Sequence, residues 1–143
     1  MDFIFYKRKG KLVNLSEKNI KIWLEIAEED LDTAICCFNN KKLMWSVVMC
    51  QQAIEKILKA LYVKNTGQIP EKTHNLIKLV QNVEITNNLD EETIILFNKL
   101  ILYYLGSRYP DKRAKLQAEC NYGFVEDIIN KTKEVFKWVK EKL

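Results

Sequence analysis

Apolar side chains recur every three to four residues along most of the chain after residue 16, which is the period of an amphipathic helix. This period predicts five helices. In chain order they start at the predicted N-cap Ser16, near Leu43, at the predicted N-caps Thr73 and Asp90, and near Tyr122. Since no strands alternate with these helices, the pattern predicts an all-α fold, an up-and-down bundle of about five helices. The second helix is apolar around most of its circumference, so we expect it to be central.

Glycines, prolines and one polar run mark where the predicted helices end. The run NNKK at residues 39–42 separates the first two helices, and Gly67 and Pro70 end the second. Gly106 is predicted to end the fourth helix in the left-handed conformation, and Pro110 prevents that helix from continuing. The segment that leads from there to the last helix is therefore predicted to be a non-helical link.

The first 16 residues are an N-terminal extension, and residues 17–143 form one helical domain. The extension has two short apolar runs around a basic turn at Gly10, which fits either a short hairpin or a flexible arm. Its basic cluster could touch phosphates, although a solvated turn is the simpler explanation. The cluster consists of Lys7, Arg8, Lys9 and Lys11.

The composition is that of an ordinary soluble globular protein, with 48% hydrophobic and 29% charged residues among 143. A formal net charge of +4 permits an acidic partner without requiring one. Four cysteines without a C-x-x-C pair do not fit a metal site, so we expect no metal and no cofactor. We interpret the cysteines as small, mostly buried side chains in a reducing cytosol. Without a signal peptide or a membrane-length apolar run, a cytoplasmic location without membrane contact is expected.

One polar stripe runs down the second helix, in the segment CQQAIEKILKALY. Gln52, Glu55, Lys56 and Lys59 are spaced i, i+3, i+4 and i+7, so that they share one face. Composition favours a solvated face. On a central helix, however, the stripe would face water, a partner subunit or a cleft.

The only histidine, His74, follows the predicted cap Thr73 by one residue. At that place the positive end of the helix dipole disfavours a charged imidazole. A structural, hydrogen-bonding role is therefore favoured over a catalytic one, and no nucleophile lies nearby in sequence.

The segment SRYPDKR, residues 107–113, places Arg108 and Tyr109 between the two residues that end the fourth helix. A bare turn prefers Asn, Asp, Ser or Gly, whereas an arginine on a stiff link can hold a phosphate or carboxylate through two hydrogen bonds. Three more cations follow within two turns: Lys112, Arg113 and Lys115. A structural linker and an anion-binding loop both fit this spacing.

Three blocks stand in order between about residues 18 and 140: WLEIAEEDLDTA, CQQAIEKILKALYVKNTGQIPEKTHNL and YYLGSRYPD. The first is similar to the start of a family's first helix, and the second to that family's most distinctive block. The third resembles its Arg-Tyr-Pro-Asp signature. Together they resemble the HEPN domain family of small helical proteins.

The resemblance implies an all-α homodimer with the Arg-Tyr-Pro-Asp segments close to the dimer cleft. It also implies a minimal nucleotidyltransferase as partner, often as toxin and antitoxin. Several family branches are metal-independent ribonucleases that use an arginine and a histidine four to six residues later. Arg108 matches that arginine, but residues 112–116 contain no histidine. Tyr109 and Asp111 are the local candidates to replace it, whereas His74 would have to be brought there by the fold.

We therefore expect a nucleotide- or RNA-binding dimeric subunit, partnered with a nucleotidyltransferase in a toxin–antitoxin type of module. The alternative is a metal-independent endoribonuclease toxin that uses Arg108 with Asp111 or Tyr109, so enzymatic activity is left open. The expected ligand-binding residues are Arg108, Tyr109, Lys56, Lys59, Glu55 and His74.

Overall fold

The computed structural model describes residues 5–8 and 11–143, with side chains from residue 15 onward. Two short strands come first, β1 (Phe5–Arg8) and β2 (Lys11–Asn14), which pair antiparallel with Phe5 opposite Asn14. The N-terminal extension thus contains a hairpin. The side chains of its basic cluster lie outside the described part of the chain.

In the described residues, six α-helices follow the hairpin, and they confirm the predicted all-α bundle. They are α1 (Leu15–Asn39), α2 (Leu43–Thr66), α3 (Leu76–Asn82), α4 (Glu91–Gly106), α5 (Pro110–Glu119) and α6 (Tyr122–Lys140). A short 3₁₀ turn, Thr86–Asn88, lies between α3 and α4.

Helix α5 was not expected, because the link after Gly106 was predicted to be non-helical. Pro110 is the first residue of this helix, where its missing N–H costs no hydrogen bond and its fixed φ already suits a helix. Tyr109 before it is extended, with φ −117° and ψ 126°, as a residue that precedes proline prefers. The true link is therefore only the short stretch from Ser107 to Tyr109.

The structure explains the glycine at position 106 differently from the prediction. It is the buried last residue of α4 and is not left-handed, whereas Gly67 at the end of α2 is, with φ 68°. A Cβ on Gly106 would lie 2.6 Å from the Leu116 Cδ1 atom of α5. A larger residue would force the Leu116 side chain to shift, so the close packing of α4 and α5 favours glycine there.

The helix caps correct two of the predictions and confirm a third. Asn75, not Thr73, caps α3, since its Oδ1 accepts hydrogen bonds from the Ile77 and Lys78 amides. His74 therefore precedes that cap. Ser16 lies inside α1 rather than before it. Asp90 caps α4 as predicted, with its carboxylate 2.8 Å from an amide nitrogen of the first turn.

Helix α2 is the central helix, as the sequence predicted, and it contacts α1, α3, α4, α5 and α6. Its contact with α1 is the most extensive, and each of the two helices carries fully buried alanines. These alanines are Ala27, Ala34, Ala53 and Ala60. Ser46 also ties the two helices together, because its buried hydroxyl donates to the Ala34 carbonyl at 2.7 Å.

The cysteines are less buried than predicted. Only Cys50 is fully buried, whereas Cys37 and Cys120 are half-buried and Cys36 is exposed. Burial raises the pKa of the Cys50 thiol to about 12. Within the described residues, no three His, Cys, Asp or Glu side chains come together as a metal site would require.

None of the helices in residues 11–143 is both long and apolar enough to cross a bilayer.

Candidate functional site

Glu55 and Lys59 of the polar stripe of α2 are buried and Gln52 and Lys56 are half-buried, so the solvated face that composition favoured is wrong. Glu55 is 1% exposed and Lys59 is 6% exposed, and the neighbouring Gln51 is fully buried. They are inside because helices pack around α2 on most of its circumference. Buried charges of this kind persist only when they are paired and hydrogen-bonded.

Glu55 is the centre of this buried network. Its Oε2 lies 3.3 Å from the Lys59 ammonium and 3.7 Å from that of Lys56. Its Oε1 lies 2.6 Å from His74 Nδ1 and accepts a hydrogen bond from Gln51 at 3.3 Å. Burial is the largest single influence on this carboxyl and raises its pKa. The His74 hydrogen bond and the two ammonium groups together outweigh burial, so the pKa of Glu55 lies below its usual value.

Lys56 and Lys59 each have a second contact that connects the network to α1. The Lys56 ammonium lies 3.3 Å from Asp30 Oδ2, and burial raises the pKa of Asp30 despite that cation. The Lys59 ammonium lies 5.6 Å from the centroid of the Trp23 ring. The stripe therefore holds α1 and α2 together, besides supporting His74.

His74 connects the buried network to the surface. Its side chain is 53% exposed, although its Nδ1 atom contacts Glu55. An ionised carboxylate can only accept, so the hydrogen in this bond belongs to Nδ1. In the neutral imidazole this leaves Nε2 as an acceptor. The His74 backbone is also held, since its carbonyl accepts a hydrogen bond from Gln51 at 3.0 Å.

Tyr104 of α4 joins His74 to Arg108. The His74 and Tyr104 rings are 4.8 Å apart at their centroids and tilted by 39°. The Arg108 guanidinium carbon lies 4.1 Å from the centroid of the same Tyr104 ring. We call these three residues the Arg–Tyr–His cluster. The fold thus brings to one ring an arginine and a histidine that are far apart in sequence.

Arg108 is exposed and lies within the short link between α4 and α5. Its guanidinium stacks on Tyr104, and no carboxylate of residues 15–143 lies within salt-bridge distance of it. The aromatic contact orients the planar group without using its N–H donors. They remain able to bind a planar anion in two hydrogen bonds.

Tyr109 and Asp111, the local candidates to replace the missing histidine, lie beside this cluster in sequence but are not joined to it. Tyr109 is 57% exposed, and the Lys112 ammonium lies 5.7 Å from its ring centroid. Asp111 is exposed in the first turn of α5. Among residues 15–143, no hydrogen bond or ion pair connects either side chain to Arg108.

The sequence interpretation did not single out Tyr104, which lies in the predicted fourth helix. One signal was available, since Tyr104 stands four residues before Arg108. That spacing brings side chains together on a helical surface. Nothing in the sequence indicated the contact with His74.

The arrangement combines an exposed cation with an imidazole that can take up a proton. An anionic group held by Arg108 would be near an aromatic surface and an imidazole whose tautomer is set by a buried carboxylate. Oxyanions such as phosphate esters suit the guanidinium, and a hydroxyl group suits Nε2.

Comparison with known proteins agrees with this fold. The chain is similar to the protein in the crystal structure of TT1696 from Thermus thermophilus, with a TM-score of 0.74 and 25% sequence identity. The similarity covers 87% of this chain and 98% of that one. No curated protein gives a significant match. The model of the HEPN domain matches residues 20–142, which is nearly the whole helical domain. The chain therefore belongs to the HEPN domain family.

Proposed function

We propose that the chain is a HEPN subunit that binds a phosphate group of a nucleotide or of RNA through its Arg–Tyr–His cluster. The observation that supports this most is Arg108, an exposed guanidinium that is stacked on Tyr104 and has no carboxylate partner among the described residues. A guanidinium that is already oriented loses less freedom when it forms two hydrogen bonds to an oxyanion.

The surroundings of Arg108 favour a nucleotide over a simple anion. Tyr109, next to it, presents an exposed ring on which a base can stack, and Lys112 adds a second cation close to that ring. His74 offers Nε2 to a ribose hydroxyl. Positive charge and an aromatic surface are the two elements that single-stranded nucleic-acid sites combine, and His74 adds a hydrogen-bonding group to them.

The direct test is binding of a labelled single-stranded RNA oligonucleotide to wild-type protein and to Arg108→Ala. Hydrogen bonds to a charged group contribute about 1.5–3 kcal/mol, so affinity should fall roughly tenfold to a hundredfold. Lys115→Ala is the matched control, because it removes an exposed cation of α5 outside the cluster. Equal losses in both variants would mean that only general charge matters, and the site would then be rejected.

The family resemblance supports two further parts of the proposal, a homodimer and a nucleotidyltransferase partner in a toxin–antitoxin module. For the dimer, α4 carries an exposed aliphatic stripe formed by Ile95, Leu102 and Leu105, each more than half exposed. The rest of the bundle does not cover this stripe, which lies on the helix that leads to Arg108. We assign a second copy of the chain to this face. For the partner, co-purification with a nucleotidyltransferase encoded beside the gene is the test.

A second candidate function is metal-independent cleavage of RNA, and the His74–Glu55 contact favours it. Nε2 would take the proton of the ribose 2′-hydroxyl, and that oxygen would attack the adjacent phosphorus. The bond from phosphorus to the 5′ oxygen then breaks, the 5′ oxygen takes a proton from water, and a 2′,3′-cyclic phosphate remains. Arg108 would stabilise the charge on the phosphoryl oxygens, while Glu55 would be a positioning residue for the imidazole.

Cleavage of RNA is the measurement that separates this candidate from the binding proposal. Wild-type protein in EDTA should produce fragments with cyclic phosphate ends, and His74→Ala should reduce the rate about a hundredfold or more. Loss of one neutral hydrogen bond should weaken RNA binding by no more than about tenfold. Added imidazole should restore part of that rate, which a purely structural histidine would not allow. Intact RNA at high protein concentration, together with normal binding, would reject the nuclease and leave the binding proposal.

A further inference from the structure

A second basic cavity lies away from the Arg–Tyr–His cluster, between the α1–α2 turn and α5. Its volume is about 330 Å³, and its lining includes Lys41, Lys42, Trp45, Arg113 and Gln117. We call it the Trp45 pocket. It shares no residue with the cluster around Arg108, so its properties are independent of the function proposed above.

The charge of the Trp45 pocket is strongly positive. Three of its lining residues, Lys41, Lys42 and Arg113, are cations, and none is acidic. No carboxylate of residues 15–143 lies within salt-bridge distance of any of the three. Cations that converge on a cavity without counter-ions repel one another, and a bound anion relieves that repulsion.

The pocket also has an aromatic wall. Trp45 is 38% exposed, and the guanidinium carbon of Arg113 lies 5.1 Å from the centroid of its indole ring. An exposed indole offers a planar surface to a nucleobase, and stacking on such a ring tolerates any base. Gln117, one helical turn after Arg113, adds an amide that can both donate to and accept from a base edge.

The backbone at the start of α2 also favours an anion in this pocket. Lys42 is the N-cap of α2, but its side chain makes no capping hydrogen bond, and the first residues of α2 line the pocket. Amide N–H groups in the first turn of a helix have no partner within the helix, and they favour an anion. This adds to the three cations rather than replacing them.

We propose that the Trp45 pocket is a nucleotide-binding site, in which the base stacks on Trp45 and the phosphate lies among Lys41, Lys42 and Arg113. The ligand is a phosphorylated nucleoside, either free or as one unit of an RNA strand. A base without phosphate would leave the cations uncompensated, and a phosphate without base would leave the indole exposed. Each part alone is therefore expected to bind more weakly than the whole nucleotide.

Trp45 itself reports on this site. In a Trp23→Phe, Trp138→Phe protein, Trp45 is the only tryptophan, and stacking of a base should quench its fluorescence. We expect saturable quenching by AMP. Adenosine should need at least roughly tenfold higher concentration, and ribose 5-phosphate should compete without quenching. Quenching by adenosine and AMP at equal concentrations, or no saturation with AMP, would overturn the proposal.

Variants separate this pocket from the Arg108 site. Arg113→Ala should weaken AMP quenching roughly tenfold, whereas Lys115→Ala and Arg108→Ala should leave it within about twofold. Loss of quenching in Arg108→Ala would show that the pocket is not independent, and the proposal would fail. If Arg108→Ala does not change RNA affinity while AMP still quenches Trp45, only the proposed function is rejected.

Two more arms complete the test. An oligoadenylate that binds more than about tenfold more tightly than AMP, with the excess lost in Arg108→Ala, identifies an RNA strand that spans both sites. Equal affinities identify a free nucleotide. If the Trp23→Phe, Trp138→Phe protein does not fold, calorimetric titration of AMP into the unaltered chain and into Trp45→Ala measures the same binding. No difference between these two proteins would reject the site.

Discussion

Removing the charge of Glu55 should destabilise the fold strongly, because it leaves a buried cation without its partner. Glu55→Gln keeps the length of the side chain and its ability to accept a hydrogen bond from His74. It removes the carboxylate 3.3 Å from the Lys59 ammonium, and Lys59 is only 6% exposed. Lys56 keeps Asp30 at 3.3 Å, so the charge left uncompensated is that of Lys59.

The expected magnitude follows from that burial. Removing one partner of a buried ion pair costs roughly 3–5 kcal/mol, since the remaining ion is uncompensated in a low dielectric. The Trp23 ring, 5.6 Å from the Lys59 ammonium, compensates part of the charge. We therefore expect the free energy of unfolding to fall by about 3 kcal/mol, which lowers Tm by roughly 10 °C for a chain of this size.

Urea denaturation at pH 7, followed by circular dichroism, measures this loss. The matched control is the double variant Glu55→Gln, Lys59→Met, in which both charges are removed. It should recover most of the stability, because no uncompensated ion is then left in the interior. A single variant within about 1 kcal/mol of wild type, or a double variant no more stable than the single one, would refute this reasoning.

The pH dependence of stability in wild type and in Glu55→Gln tests whether Glu55 stabilises the fold as an ionised carboxylate. The pKa of Glu55 is lower in the folded chain than its usual value, so its contribution to stability is complete above the unfolded pKa. That contribution is lost as the pH falls through the folded pKa. The difference in unfolding free energy between wild type and Glu55→Gln should therefore shrink below about pH 4.5. A difference that grew on acidification would contradict the assignment.

Three further substitutions test packing, capping and assembly. Gly106→Ala should lower the free energy of unfolding in urea by about 1–3 kcal/mol, because its Cβ would lie 2.6 Å from Leu116. Gly123 is not crowded, so Gly123→Ala should be neutral or stabilising. Equal effects of the two substitutions would contradict the packing argument. Asn121→Ala should cost about 1 kcal/mol through loss of the α6 cap, and an unchanged Tm would argue against it. Leu102→Asp should convert the proposed dimer into a folded monomer in sedimentation experiments, and an unaltered mass would exclude α4 as the interface.

The two faces of α2 show how far a periodic pattern can be taken. Its apolar positions predicted a central helix, and the structure agrees. The same period placed Glu55 and Lys59 on one polar stripe, but it could not decide whether that stripe faced water or the interior. That depended on Trp23 and His74, which come from other parts of the chain and cover it.

Helix α5 shows why a local signal can be interpreted in two ways. Pro110 ends a preceding helix and also suits the first position of a new one, and the sequence interpretation considered only the first role. The segment 110–119 is largely polar, and Leu116 is its only buried residue. That leucine packs against Gly106, so the contact between α4 and α5, rather than the sequence of α5 alone, accounts for both residues.

By itself the sequence determined the helical periods, the end of α2 at Gly67, the α4 cap at Asp90 and the family resemblance. All of these depend on interactions between residues a few positions apart, or on motifs. The tertiary structure alone decided that His74 meets the Tyr104 ring beneath Arg108 and that a buried carboxylate orients it. Contacts between residues far apart in the chain depend on how helices pack against each other, and no local period encodes that packing.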